Sequence, residues 1–390
     1  MKTKSVGIIA EYNPFHNGHL YHVEESRRLT GAEVVVCVMS GNFLQRGQMA
    51  IADKWERAEA AVRCGADLVV ELPTVFACNS APYFAEGAVE ILENLGVDYI
   101  SFGSESGNID DLKNISEEIS QNTIETLIKE KVKEGLAYPR ARREAFGQVF
   151  GDEKAAILDS PNNILAIEYL KAMKKATPVT VCRKGPGYHD LNADEELASA
   201  TAIRYLMEEQ KDVTGLMPEA SAEIIQKSKR PSMDLLFDLI RHKILVSDGA
   251  ELDKIPAGGE GLGNKAKNII RTVSSYEQLV EELKSKRYTR TRINRFLMQM
   301  LLAVEAMEGY NKYIRVLAFN DKGSAYLKQV KKSGECGLPI ITNINKDLEG
   351  NPSILTTVNK DILASDLYNL ASGRDLYANS DFVKNPKKYP

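Results

Sequence analysis

Two histidines three residues apart carry the clearest chemistry in this chain: His16 and His19, within Asn13-Pro-Phe-His-Asn-Gly-His19. On a helix that spacing puts both imidazoles on one face of a single turn. There they could donate to phosphate oxygens that gain charge as a nucleophile attacks, which stabilises the transition state without a covalent enzyme intermediate. Gly18 removes the side chain that would keep a nucleotide off the backbone. An isolated pair of this kind also serves simply to cap or solvate a helix. Zinc is a further alternative, but the pattern lacks the glutamate of an HExxH helix and offers no evident third ligand.

The elements around the pair favour the phosphate reading. Short apolar runs at Ser5–Ala10, Val34–Met39, Leu68–Leu72, Tyr99–Gly103 and Val179–Cys182 read as strands. Helical patterns lie between the early ones, among them His19–Leu29 and Asp53–Cys64, the latter closed by Gly65. Near-continuous apolar strands joined by helices predict an α/β fold with a doubly wound parallel sheet. In such a sheet ligands gather beyond the carboxyl ends of the strands, and the first strand–helix turn offers free amide donors. Asp110–Lys133 reads as one amphipathic helix, and Ser160-Pro161 as the start of a helix over Asn162–Ala176. Asp190-Leu-Asn192 precedes another, from Glu195 to Gln210.

After Thr214 the pattern changes. Ser232–Val246, Lys265–Val273, Tyr276–Lys284 and Tyr288–Met307 are helical in periodicity. A strand-like Ile314–Phe319, a helix over Ser324–Lys332, a short Leu338–Thr342 and a final helix over Asp361–Ala371 follow. The expectation is a nucleotide domain over 1–214 and a second, mainly helical domain over 215–390 ending in a small α/β element.

Composition narrows the class. The 390 residues carry 50 Lys and Arg against 54 Asp and Glu, a net charge of -4, so a chain that coats nucleic acid indiscriminately is disfavoured while a local basic face is not. Five scattered cysteines without a CxxC pair give no disulfide framework and no structural zinc motif. Cys37 and Cys182, inside apolar strand runs, are expected to be small buried hydrophobes. The N-terminal apolar run is too short for a signal peptide, and no uncharged run approaches a membrane span of ~20 residues. The expectation is a soluble, cytoplasmic protein with no membrane association and no stable protein partner.

Strand, Asn-Pro turn and HxGH together resemble the signature of the HIGH-type nucleotidyltransferase superfamily, to which small-molecule adenylyltransferases and class I aminoacyl-tRNA synthetases belong. That resemblance implies attack of a nucleophile on the α-phosphate of ATP, departure of pyrophosphate, and Mg2+ accompanying the ATP. Downstream, Ala198-Ser-Ala-Thr-Ala-Ile-Arg204 resembles the ISSTxIR motif of the same superfamily. Ser199 and Thr201 have hydroxyls for phosphate oxygens, and Arg204 has a guanidinium suited to a bidentate contact, although the segment alone is also an ordinary helix start.

Further segments resemble the tRNA(Met) cytidine acetate ligases. They are Met39-Ser-Gly-Asn-Phe-Leu-Gln-Arg-Gly47, Phe102-Gly-Ser-Glu105, Ser160-Pro-Asn-Asn-Ile-Leu165, Arg183-Lys-Gly-Pro-Gly-Tyr-His189 and Tyr288-Thr-Arg-Thr-Arg-Ile-Asn-Arg295. Their order and spacing cover most of the chain. The resemblance implies activation of acetate by ATP as acetyl-adenylate and transfer of acetyl to N4 of the wobble cytidine, C34, of elongator tRNA(Met). It assigns catalysis to His16 and His19. It assigns ATP contacts to Gly7, Ile8, Ile9, Ala10, Glu11, Tyr12, Asn13, Pro14, Phe15, His16, Asn17, Gly18, His19 and Leu20, and to Gly103, Asn162, Arg183 and Lys184. Asn163 is chemically as able as Asn162, and Lys184 is expected to act through its backbone. The Ser40–Arg46 loop could cover the acetyl group, with Arg46 near phosphate or carboxylate.

The run from Lys284 to Arg295, KSKRYTRTRINR, has six basic residues and no acidic one. Lys286, Arg287, Arg290, Arg292 and Arg295 could neutralise tRNA phosphates, with Tyr288 stacking on a base. A solvated helix face is the plain alternative. Two rival functions remain at this stage: a small-molecule adenylyltransferase, and a nucleotide-holding tRNA-binding protein without ligase activity.

Overall fold

The computed structural model describes residues 3–183 and 198–390. Lys184, the remainder of the Arg183–His189 motif and the expected helix start at Glu195 lie outside the described residues. Five parallel strands form the centre of one sheet: β1 (Ser5–Ala10), β2 (Val34–Ser40), β3 (Leu68–Leu72), β4 (Tyr99–Ser104) and β5 (Thr177–Cys182). Their order is β5-β4-β1-β2-β3. Every residue of β2 is buried, as expected of a central parallel strand covered on both faces. Strand β5 flanks the sheet and is only partly covered, so Cys182 is exposed rather than buried, correcting the expectation for that residue.

The helices follow the sequence pattern with sharper ends. Helix α1 (Asn17–Thr30) stops at Gly31, whose φ of 64° is left-handed. Helix α2 (Lys54–Arg63) starts with a capping box between Asp53 and Glu56. Helix α3 (Ala81–Asn94) follows β3. The single helix expected over 110–133 is two, α4 (Ile109–Ile119) and α5 (Asn122–Lys133). Apolar periodicity carries on across the junction, but Gln121 turns extended, with φ -70° and ψ 139°. Then come α6 (Tyr138–Phe150), α7 (Pro161–Ala172) and α8 (Ala200–Glu208). The later part adds α9 (Glu219–Lys227), α10 (Met233–Val246), α11 (Leu262–Ile269), α12 (Tyr276–Leu283) and α13 (Arg290–Leu301).

The C-terminal strand differs from the expected small α/β element. Strand β6 (Ile314–Phe319) joins the first sheet, antiparallel to β3, with a register shift between Val69 and Val70. Strands β7 (Ile340–Ile341) and β8 (Lys387–Lys388) both pair with β6, and helix α14 (Asp321–Ser333) packs on the sheet. The chain thus completes one sheet from both ends.

A buried charge cluster fastens this return. Lys54 Nζ donates to Glu71 Oε1 and Oε2 at 3.0 and 2.9 Å and to Asp381 Oδ2 at 3.0 Å. Ser365, on helix α15 (Leu355–Ala371), donates to Asp381 Oδ2 at 2.6 Å. Charges this deep persist only when matched by opposite charge and hydrogen bonds. The cluster therefore holds the C-terminal segment against β3 and α2, directly beneath the Ser40–Arg46 loop. The chain order reverses between β1 and β4, and that switch point is where an open parallel sheet leaves a crevice for ligand.

Candidate active site

The crevice holds a cavity of about 970 Å3 over the carboxyl ends of β1, β4 and β5. His16 is the N-cap of α1, extended at φ -128° and ψ 175°. Its Nδ1 accepts the Gly18 N–H at 3.0 Å, and its own N–H donates to His19 Nδ1 at 3.3 Å. The two rings stack with centroids 3.8 Å apart. The capping reading of the pair is thus realised. Because the His16 Nδ1 accepts a backbone N–H, the proton of its neutral ring lies on Nε2.

Burial keeps these rings neutral. Desolvation, followed by the positive charges of Arg183 and Arg204, lowers the His16 pKa from 6.5 to about 3. His19 is lowered well below its ordinary value, first by desolvation and then by His16, Arg183 and His22, with the Pro14 carbonyl pulling the other way. His22, one turn on, is lowered to about 4 by desolvation and Arg183, and its Nε2 lies 3.1 Å from Ser101 Oγ. At neutral pH the site offers neutral N–H donors.

The turn between β1 and α1 is held from several sides. Tyr12 sits at φ 48°, a conformation that non-glycine residues seldom adopt. Its buried ring packs against Phe15 at 4.7 Å and His19 at 5.0 Å. Arg204 Nη1 donates to the Asn13 carbonyl at 2.6 Å and its Nη2 to Thr201 Oγ1 at 3.2 Å. Fully buried Arg57 donates to the carbonyls of Ala52, Glu11 and Ser40 at 3.0, 2.6 and 3.1 Å, and also to Gly41. It ties the ends of β1 and β2 together, a role that no local motif signals.

The expected residues divide by position. Ile9, Ala10, Glu11, Tyr12, Asn13, His16, Gly18 and His19 line the cavity, as do Gly103, Asn162, Arg183, Ser199 and Arg204. Gly7, Ile8, Pro14, Phe15, Asn17, Leu20 and Thr201 do not. Gly7 is a packing glycine, since a methyl there would stand 2.7 Å from Leu92. Ser199 caps α8 by accepting the Ala202 N–H at 3.1 Å. Of the two asparagines, Asn163 is buried and accepts the N–H groups of Glu105 and Ser106 at 2.9 and 3.2 Å. Asn162 lies on the cavity wall with its Nδ2 donating to Glu105 at 2.7 Å.

The basic segment reaches the same cavity through Arg287, Thr289, Thr291, Arg292 and Arg295. Gly47, at φ 72°, packs the Ser40–Arg46 loop onto the start of α13: a Cβ there would fall 2.2 Å from Arg295 N. Arg295 is half-buried, donating to the Gln45 and Asn79 carbonyls at 3.5 and 3.4 Å, and desolvation lowers its pKa to about 10. Arg290 pairs with Glu277 and Glu281, and Arg292 with Glu260. Lys286 and Arg287 are exposed.

Tyr288 corrects its expectation. It is buried, its hydroxyl donates to the Glu260 carbonyl at 2.5 Å, and Arg292 covers its ring, so it cannot stack on a base. The accessible aromatics on the cavity wall are Tyr83 and Tyr138, 39% and 53% exposed. Neither lies in a motif that the sequence would single out. Among the described residues, seven arginines line the cavity (Arg46, Arg142, Arg183, Arg204, Arg287, Arg292 and Arg295) against one carboxylate, Glu11.

Stacked neutral imidazoles at the first strand–helix turn of a parallel sheet, facing an arginine-rich cavity, define a nucleotidyl transferase of the HIGH class. The family model described as HIGH Nucleotidyl Transferase matches residues 3–381. The tRNA(Met) cytidine acetate ligase of Caldanaerobacter subterraneus subsp. tengcongensis is 40% identical, with 97% of this chain and 98% of that relative covered. The tRNA(Met) cytidine acetate ligase of Clostridium perfringens is 39% identical over the same shares. The chain belongs to the tRNA(Met) cytidine acetate ligase family. The crystal structure of Thermotoga maritima TmcAL bound with alpha-thio ATP superposes with a TM-score of 0.90 at 31% identity, covering 99% of both chains. The apo form of that protein gives 0.91 at 32% identity, covering 99% of this chain and 100% of that one. No helix among the described residues is long and apolar enough to cross a membrane.

Proposed function

We propose that this chain joins acetate to ATP as acetyl-adenylate and then transfers the acetyl group to N4 of the wobble cytidine, C34, of elongator tRNA(Met), releasing AMP and pyrophosphate. The observation that carries the reading is the continuity of the cavity. One space runs from the imidazoles of His16 and His19 to Arg287, Arg292 and Arg295 of the basic segment. A small-molecule adenylyltransferase needs the first end and has no use for the second.

In the first step a carboxylate oxygen of acetate attacks the α-phosphorus and pyrophosphate leaves. The imidazoles of His16 and His19 donate to the α-phosphate oxygens as charge grows there. Arg183 and Arg204 offset charge on the phosphates, while Gly103 and Asn162 border the adenine and ribose. Mg2+ would travel with the ATP phosphates, since no three His, Cys, Asp or Glu side chains gather into a metal site among the described residues.

In the second step the splayed cytosine enters from the basic end, where Tyr138 and Tyr83 are the stacking surfaces. Residues 1–214 supply the adenylation chemistry, and the helical part of 215–390, around 256–295, supplies the tRNA contacts. The place of action is the cytoplasm, where ATP, acetate and tRNA meet.

ATP–pyrophosphate exchange with and without acetate tests the first step, and nucleoside analysis of C34 after adding unmodified tRNA tests the second. Acetate-dependent exchange followed by acetylated C34 is the expected result. Exchange that requires a nucleotide-like acceptor instead of acetate would overturn the reading.

A further inference from the structure

Glu11 is an anion in a cavity built for anions. Among the described residues it is the one carboxylate on a wall that carries seven arginines, and its charge opposes the binding of ATP, acetate and tRNA alike. Its position is fixed: Oε1 accepts the Gln45 N–H at 2.8 Å, and its backbone carbonyl accepts from Arg57 at 2.6 Å. Its other carboxylate oxygen has no donor among the described residues. Gln45 joins it to the basic end, because the Gln45 carbonyl accepts from Arg295 at 3.5 Å. The carboxylate therefore stands at the end of β1, between the imidazole turn and the segment through which tRNA would enter.

The transfer step leaves a proton to be placed. When N4 of cytosine attacks the acetyl carbonyl, an N–C bond forms and the nitrogen becomes positively charged. The C–O bond to phosphate then breaks, its electron pair leaves with AMP, and one N4 proton must go elsewhere. The other titratable groups that the described residues place on the wall are poorly placed to accept it. In His16 and His19 the Nδ1 atoms already accept backbone N–H groups, and His22 is engaged with Ser101. The arginine guanidinium groups have donors and no acceptor to offer.

Resting on the two-step reading above, we propose that Glu11 is the general base that takes the N4 proton during acetyl transfer, with Gln45 as the residue that positions it. A carboxylate suffices, because the attacking nitrogen becomes strongly acidic once it is charged. The proton then leaves to solvent, and acetyl-adenylate plus cytidine has become acetylcytidine, AMP and a proton.

Glu11→Gln is the discriminating variant, because its amide oxygen can still accept the Gln45 N–H. Two rates are compared with wild type: acetate-dependent ATP–pyrophosphate exchange, and single-turnover acetylation of tRNA by supplied acetyl-adenylate across a pH series. The expected result is a transfer rate reduced roughly 100- to 10,000-fold, a far greater loss than in exchange, with the acid limb of the wild-type transfer profile flattened. Equal losses in both rates, with or without a raised Mg2+ requirement, would make Glu11 a binding or metal-holding residue and overturn the proposal. So would unimpaired transfer. Absence of acetate-dependent exchange in wild type would instead count against the two-step reading itself.

Discussion

The neutrality of the histidine cluster makes a quantitative prediction. In an unfolded chain each imidazole titrates near ~6.5. In the folded chain burial and the neighbouring arginines hold His16 to about 3 and His22 to about 4, with His19 also well below 6.5. These folded values are depressed, so between pH 6.5 and about 4 the unfolded chain binds more protons, and stability falls as the pH falls. Going from pH 7.5 to 5.5, His16 and His22 each cost about 1.4 kcal/mol and the two together about 3 kcal/mol, with His19 acting in the same direction. Glu71, pushed up to about 7 chiefly by burial, works in the opposite sense over part of this range. The contribution of one ring is therefore isolated by difference. Asn at position 16 keeps a side-chain oxygen for the Gly18 N–H and removes the titration. His16→Asn should leave stability at pH 7.5 within about 1 kcal/mol of wild type. By pH 5.5 it should have gained about 1.4 kcal/mol relative to wild type. Denaturant unfolding at the two pH values measures this double difference. 15N shifts of labelled imidazoles report directly whether the rings carry their proton on Nε2 and stay neutral to below pH 5. A His16 that titrates near its ordinary value, with no double difference, would refute the argument that the site presents neutral donors.

Other substitutions test other parts of the account. Lys54→Met leaves Glu71 and Asp381 buried without their cation and should cost about 3–5 kcal/mol by denaturant unfolding. Tyr138→Ala should raise KM for tRNA by roughly 5- to 150-fold, the worth of one stacked base, with little effect on acetate-dependent exchange. Tyr288→Phe should instead cost about 1 kcal/mol of stability, through its lost bond to the Glu260 carbonyl, and leave KM for tRNA alone. Gly47→Ala forces a methyl against the Asn294–Arg295 backbone, so it should destabilise the protein by about 1–3 kcal/mol and lower transfer, measured by unfolding and single-turnover acetylation.

The parallel centre of the fold was legible because a strand buried on both faces has to be apolar throughout, as β2 is. The direction of β6 was not. An apolar run is equally compatible with a parallel or an antiparallel neighbour, and its partner β3 lies more than two hundred positions earlier. The expected helix over 110–133 failed for a related reason: apolar spacing carries across Ser120 and Gln121, where the backbone turns. Types and spacing singled out His16, Gly18, His19 and Arg204 from two local motifs, and all four lie on the cavity wall. The same cues did not suffice for Tyr288, because a tyrosine beside a basic run reads the same whether its ring faces solvent or the core. Arg57, Tyr83 and Tyr138 are brought to the site by tertiary packing alone, and nothing local marks them. Glu11 lay inside the recognised motif. Its isolation as the one carboxylate among the described wall residues emerges only when segments far apart in sequence are brought together.

The central claim is that an acetate oxygen attacks the α-phosphorus of ATP in the site formed by His16 and His19. Acetate labelled with 18O in both oxygens tests it most directly, in a reaction with ATP and unmodified elongator tRNA(Met), with mass analysis of every phosphate product. The account predicts one 18O in AMP, none in pyrophosphate, and one retained in the acetyl group on C34. Label in inorganic phosphate with ADP as co-product would mean attack at the γ-phosphorus, and label-free AMP would mean that acetate never reached the α-phosphorus. Either result would contradict the account.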